Sequence, residues 1–171
     1  MSDPGLEKLL HRLSNNLVQD KLVQEVTNGI RYKLKVDRVA LYYFYSHWDG
    51  RVTFESLSSP TYSIFGSTGP DECFNQEYAD LYQNGRVSAI ANIETANIAE
   101  CHRDFLKEIH VKANLVVPIL TASGLWGLLV AHHCQTAVEW SNDHIQTVKK
   151  GAEILAKAKA ICNKKLSLDL E

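Results

Sequence analysis

The chain has 171 residues, 45% hydrophobic and 22% charged, and its 18 basic against 20 acidic side chains give a formal net charge of −2. That length suits one domain with a sizeable core, and the near balance of charge gives no electrostatic case for nucleic acid or an anionic membrane as partner. No apolar run approaches the roughly 18–20 residues of a membrane span, and Met1-Ser2-Asp3-Pro4-Gly5 is no signal peptide, so a cytoplasmic domain over residues 1–169 is expected, with Leu170-Glu171 set aside as an expression scar.

Helical periodicity runs from Leu6 to Leu34. Leu6, Leu9, Leu10, Leu13 and Leu17 mark one apolar stripe, and Leu22, Val26, Ile30 and Leu34 mark a second after Asp20, a candidate cap. Residues 36–45 are β-branched and aromatic and read as a strand. Asp49-Gly50 signals a turn, and residues 52–57 return as the partner strand. Residues 58–70 are loop by composition. A short helix over 75–83 is expected to stop at Asn84-Gly85, followed by a third strand over 87–93. Residues 101–109 read as a short helix with Phe105, Leu106 and Ile109 on one side.

Two buried strands, 113–120 and 125–133, then form a hairpin across Ser123-Gly124, and Pro118 demotes its position to an edge or bulge. A long helix over 141–166 closes the chain, with Ser141 near its start. This order predicts an α+β fold: a central antiparallel sheet, N- and C-terminal helices on one face, and a ligand pocket on the loop-bearing face.

The four cysteines are Cys73, Cys101, Cys134 and Cys162. None forms a Cys-x-x-Cys pair, and a reducing compartment argues against a disulfide framework. His132-His133-Cys134 and Cys101-His102 cluster metal-ligand types, but adjacent residues rarely aim at one ion and structural zinc is not expected. From the residues alone, Cys101 is either an inert cysteine or a reactive thiol beside His102 and Arg103. A thiol enzyme using Cys101 and His102 is disfavoured, since neighbours on a helix splay about 100° apart.

Several motifs in register give the chain a family likeness. Asp71-Glu72-Cys73-Phe74, Asn84-Gly85-Arg86-Val87, Cys101-His102, the run from Val111 to Ile119 and the run from Leu125 to Cys134 follow one another. Together they resemble a GAF domain of the cyanobacteriochromes, relatives of the phytochromes, and specifically the Asp-x-Cys-Phe subgroup. The resemblance covers nearly the whole chain. It departs at Val138-Glu139-Trp140, where members often carry an arginine before the tryptophan.

The resemblance implies a GAF fold and a covalently attached linear tetrapyrrole, phycocyanobilin or its isomer phycoviolobilin. The function it implies is photoreception by C15=C16 isomerisation between a blue-absorbing and a longer-wavelength state. Cys101 would be the thioether anchor and Cys73 a labile second linkage at the C10 bridge. His102 would pack on the pigment, and Asp71 would accept from pyrrole N–H groups. Arg86 would pair with a propionate. His132 would contact the pigment from the last strand, since alternation allows only one of His132 and His133 to face the pocket. Phe74, Tyr78 and Tyr82 would line the site.

Partners implied are an output signalling domain outside this chain and a second copy, paired through the terminal helices. A GAF module binding a non-covalent small molecule such as a cyclic nucleotide is the competing reading. Trp126, Trp140, Cys134 and Cys162 read as structural.

Overall fold

The computed structural model describes residues 3–46, 49–69 and 76–162. Helix α1 spans Pro4–Gln19 and α2 spans Lys21–Leu34, and the single residue between them serves both. The Asp20 side chain accepts from the Leu22 and Val23 amides at the start of α2, while the Asp20 amide donates to the Leu17 carbonyl at the end of α1. Leu9, Leu10, Leu13 and Leu17 of α1 are buried, in line with the first stripe; on α2 Ile30 and Leu34 are buried as expected, but Leu22 and Val26 are only partly covered and Val23 and Thr27 take the buried positions.

Five strands follow: β1 Arg38–Phe44, β2 Gly50–Leu57, β3 Ser88–Ile90, β4 Ala113–Thr121 and β5 Gly124–His133. They form one antiparallel sheet in the order β2-β1-β5-β4-β3. Between β2 and β4 lie a single 3-10 turn, Pro60–Tyr62, and helices α3 Gln76–Gln83 and α4 Glu100–Glu108. Helices α5 Asn142–Leu155 and α6 Lys159–Cys162 end the described chain. The resulting α+β arrangement is the predicted one.

Alternation along the strands divides the interior in two. Val39, Leu41, Leu115, Val117, Ile119, Leu129 and Ala131 point to the helical layer, where they meet Leu13, Leu17, Ile30, Val148, Ala152 and Leu155. Ala40, Tyr42, Val116, Leu128 and Val130 point the other way and pack with Val52 and Tyr82. At the centre, β1 and β5 approach so closely that a Cβ on Gly127 would lie 2.0 Å from the Tyr42 carbonyl oxygen.

The structure corrects two expectations of extent and bears out one of position: Pro118 on β4 pairs on one side only, with Leu128. Strand β3 pairs only with residues 114–116, so it stops short of Pro118 and asks no hydrogen bond of it. The third strand shrinks to three residues. The closing helix does not run unbroken: α5 stops at Leu155, and a turn over 156–158 precedes α6. The Ala160 amide there donates to Asp20 Oδ2, which ties the chain end back to the α1–α2 junction. At its start α5 carries a capping box between Ser141 and His144.

Candidate functional site

The sheet face away from the helical layer forms the floor of a cavity. Its enclosed volume is about 60 Å³, and its mouth opens to solvent. Val116, Leu128 and Val130 supply an apolar floor, Tyr42 and Tyr82 a phenolic side, and α4 the opposite wall through His102, Phe105 and Ile109. The loop over 64–69 covers another edge, and the Gly69 amide donates to the Tyr42 hydroxyl at 2.8 Å to hold it there.

Helix α4 carries the proposed anchor. Cys101 is solvent-exposed in its first turn. The next residue, His102, turns inward to line the cavity. The expectation of no disulfide needs correcting at this sulfur, because Cys101 is disulfide-bonded. Cys134 and Cys162 are free, the first buried and the second exposed.

Burial lowers the His102 pKa, and the neighbouring Arg86 cation lowers it further, so its imidazole rests neutral. Arg86 stands with its guanidinium 5.6 Å from the Tyr82 ring centroid and lines a polar groove outside the cavity, which His102 and Glu139 also border. Glu139, at the departure from the family pattern, thus puts a carboxylate where an acidic ligand group would find repulsion.

His132 is buried within the cavity wall, and His133 on the opposite face stacks at 5.0 Å on Trp140. One histidine of the pair faces the pocket, as alternation requires. Trp140 in turn donates from Nε1 to the Ile90 carbonyl. The His132 side chain has one hydrogen bond among the described residues, from Arg38 Nε to its Nδ1 at 3.0 Å. Burial holds its pKa well below the ordinary value, and the Arg38 charge adds to the effect.

Arg38 has no solvent exposure; its other two nitrogens donate to the Tyr62 carbonyl at 2.6 Å and the Ile109 carbonyl at 2.7 Å. Beside His132, Asn114 is 3% exposed, and its Oδ1 has no hydrogen-bond partner among the described residues.

Of the residues proposed from sequence, the structure brings His102, His132 and Tyr82 into one cavity, with Cys101 beside His102 and Arg86 on the outer groove. Asp71, Cys73 and Phe74 lie outside the described residues, and so does the side chain of Tyr78. Sequence reasoning passed over Arg38, Tyr42 and Asn114. Arg38 and Asn114 had a signal, since each is a polar residue within an otherwise apolar strand run.

The sequence profile of the GAF domain family matches residues 19–158. The chain belongs to the GAF domain family. Over 156 residues it is 44% identical to an uncharacterized protein of Picosynechococcus sp. (strain ATCC 27264 / PCC 7002 / PR-6), covering 91% of this chain and 96% of that one. A candidate methyl-accepting chemotaxis protein of Synechocystis sp. (strain ATCC 27184 / PCC 6803 / Kazusa) is 36% identical over 140 residues, 82% of this chain but 14% of that one.

Among solved structures, this GAF domain superposes on the cyanobacteriochrome TePixJ GAF domain with a TM-score of 0.67, at 28% identity over 84% of this chain and 87% of that one. It matches the blue-light absorbing form of the Thermosynechococcus elongatus PixJ GAF domain with a TM-score of 0.71, at 26% identity over 92% of this chain and 90% of that one. Its structural neighbours are thus cyanobacteriochrome GAF domains.

Proposed function

We propose that this GAF domain is a photoreceptor module that binds a linear tetrapyrrole covalently through Cys101. The observation that carries the reading is the placement of Cys101-His102 on α4: Cys101 is solvent-exposed, while the adjoining His102 enters the cavity that His132 also lines. The likeness to cyanobacteriochrome domains supports it, and so does the Asp-x-Cys-Phe motif of residues 71–74.

The residues present fit such a group. A flat conjugated molecule needs apolar walls with a few polar contacts, and the cavity offers Val116, Leu128 and Val130 beside His102, His132 and the unpartnered Asn114 oxygen. Arg86, on the outer groove, is the cation proposed for a propionate, and Glu139 on the same groove weakens that pairing. When bound, the tetrapyrrole supplies visible absorption and a C15=C16 double bond that light isomerises reversibly. On this reading Cys73 provides a second, reversible sulfur for the blue-absorbing state; the match to a blue-light absorbing PixJ form supports that assignment. Phycocyanobilin, alone or with phycoviolobilin, is the pigment proposed. The partner is an output module of the kind found in chemotaxis and kinase proteins, given the signalling relatives.

The test is co-expression with a bilin-producing pathway, followed by purification with a thiol reductant, since attachment needs Cys101 reduced. A coloured, light-switchable protein that keeps its pigment on a denaturing gel is expected. Cys101→Ala abolishes that attachment, and Cys73→Ala keeps the pigment but loses the short-wavelength state. A colourless wild type under competent biosynthesis defeats the reading in favour of a non-covalent ligand.

A further inference from the structure

We infer that Arg38 is a positioning residue that fixes the tautomer of His132, so that the cavity presents a permanent N–H donor from Nε2. The argument begins with what a guanidinium can do. Its nitrogens only donate, and it keeps its proton at any pH a protein survives. Arg38 Nε points at His132 Nδ1 from 3.0 Å, so Nδ1 must accept and carries no hydrogen. A neutral imidazole then holds its hydrogen on Nε2. The imidazolium is excluded as well, because it would set two donors against each other.

Arg38 can do this because it cannot turn away. Its remaining nitrogens are tied to the Tyr62 carbonyl after β2 and to the Ile109 carbonyl at the end of α4. The same side chain therefore joins the floor of the cavity to two elements of its rim. The titratable groups that share the cavity with His132 are His102 from α4 and the phenols of Tyr42 and Tyr82. No carboxylate lines it among the described residues, so nothing described there favours a second proton on the ring.

The fixed donor selects an occupant with an acceptor oxygen at that point. That last step rests on the tetrapyrrole reading; the tautomer itself does not, and the experiment separates them. The apoprotein is labelled with ¹⁵N-histidine, and long-range proton–nitrogen correlations are recorded between about pH 6 and 9, inside the range over which an unperturbed imidazole would titrate at its lower end. His132→Gln identifies the His132 signals by deleting them.

Wild type is expected to show a single neutral ring protonated at Nε2 throughout. Arg38→Met loses that pattern to tautomer mixing, and Arg38→Lys, whose ammonium also only donates, restores it. A hydrogen on Nδ1 in wild type, or an unchanged pattern in a folded Arg38→Met protein, overturns the inference. Should Arg38→Met fail to fold, as circular dichroism would show, the wild-type pattern still decides it.

In pigment-loaded protein, Arg38→Met is expected to shift the absorption maximum and Arg38→Lys to return it. An unshifted maximum overturns the ligand step alone. Failure to take up pigment overturns that step together with the photoreceptor reading, while the apoprotein measurement stands by itself.

Discussion

At the scale of single residues, this domain keeps polar groups inside an apolar strand run, and each must be explained by a partner or by a use. Asp37 has its partners: its carboxylate accepts from the Cys134 amide at 2.7 Å, from Gln135 Nε2 at 2.9 Å and from Ser58 Oγ at 3.3 Å. Asn114 does not. Its buried Oδ1 has left water without gaining a donor among the described residues, which costs stability on the order of 1–3 kcal/mol. Asn114→Leu, close in size, removes that cost. Urea unfolding of the apoprotein should show it more stable by about 1 kcal/mol. If Asn114 serves a ligand, the same variant should take up pigment more slowly or hold it with an altered spectrum. A destabilised variant with unchanged pigment uptake would show that Asn114 has a structural partner instead.

At the scale of elements, most of the architecture was legible because the periodicities are strong. The leucine stripes gave α1 and α2, the β-branched runs gave β1, β4 and β5, and strand alternation allowed one of His132 and His133 to face the cavity while the family resemblance selected His132. The breaks were harder to see. Residues 141–166 keep helical composition across 156–158, and the turn there depends on a contact with Asp20, over a hundred residues away, that no local pattern records. Pro118 holds the edge position expected of it, although where β3 stops is something only the pairing reveals. The close approach of β1 to β5 at Gly127 left no mark in the sequence beyond a glycine within a strand run.

The site was legible through its motifs, whereas Arg38 was read as one strand residue among others, because its partners come from three separate segments. Asp20 gives the matching test. It caps α2 and receives the Ala160 amide, so Asp20→Ala should cost about 1–2 kcal/mol in urea unfolding. Hydrogen exchange should also quicken at Leu22, Val23 and Ala160 together. Quickening at Leu22 and Val23 alone would show that α6 is held by its apolar contacts and not by the cap.

For the whole molecule, the buried titratable groups bracket the pH range in which the fold is most stable. Burial lowers the pKa of His102, His132 and His133, with the Arg86 and Arg38 cations reinforcing the first two and His144 acting on the third; Asp37 opposes the shift at His133. A group depressed in this way binds its proton more weakly when folded. Its stabilisation is complete above the unfolded value of about 6.5 and is lost as acidification protonates the unfolded chain. Burial raises Cys134 and Tyr43, although Arg38 partly offsets this at Cys134. Their contribution is complete below the unfolded values, about 8.5 and 10, and falls as pH rises past them.

Stability of the apoprotein should therefore peak between about pH 7 and 8.5 and fall on both sides. On the acid side His132 is the principal source, being buried and carrying the strongest shift. One proton taken up only on unfolding gives a slope of about 1.4 kcal/mol per pH unit below pH 6.5. His132→Gln, whose side-chain oxygen can still accept from Arg38 Nε, should flatten the acid limb by up to that amount and leave the alkaline limb alone. Urea unfolding at intervals from pH 5 to 10 measures both limbs. An acid limb equally steep in wild type and His132→Gln would mean that the buried imidazole takes up its proton without unfolding, and that Arg38 does not hold it neutral.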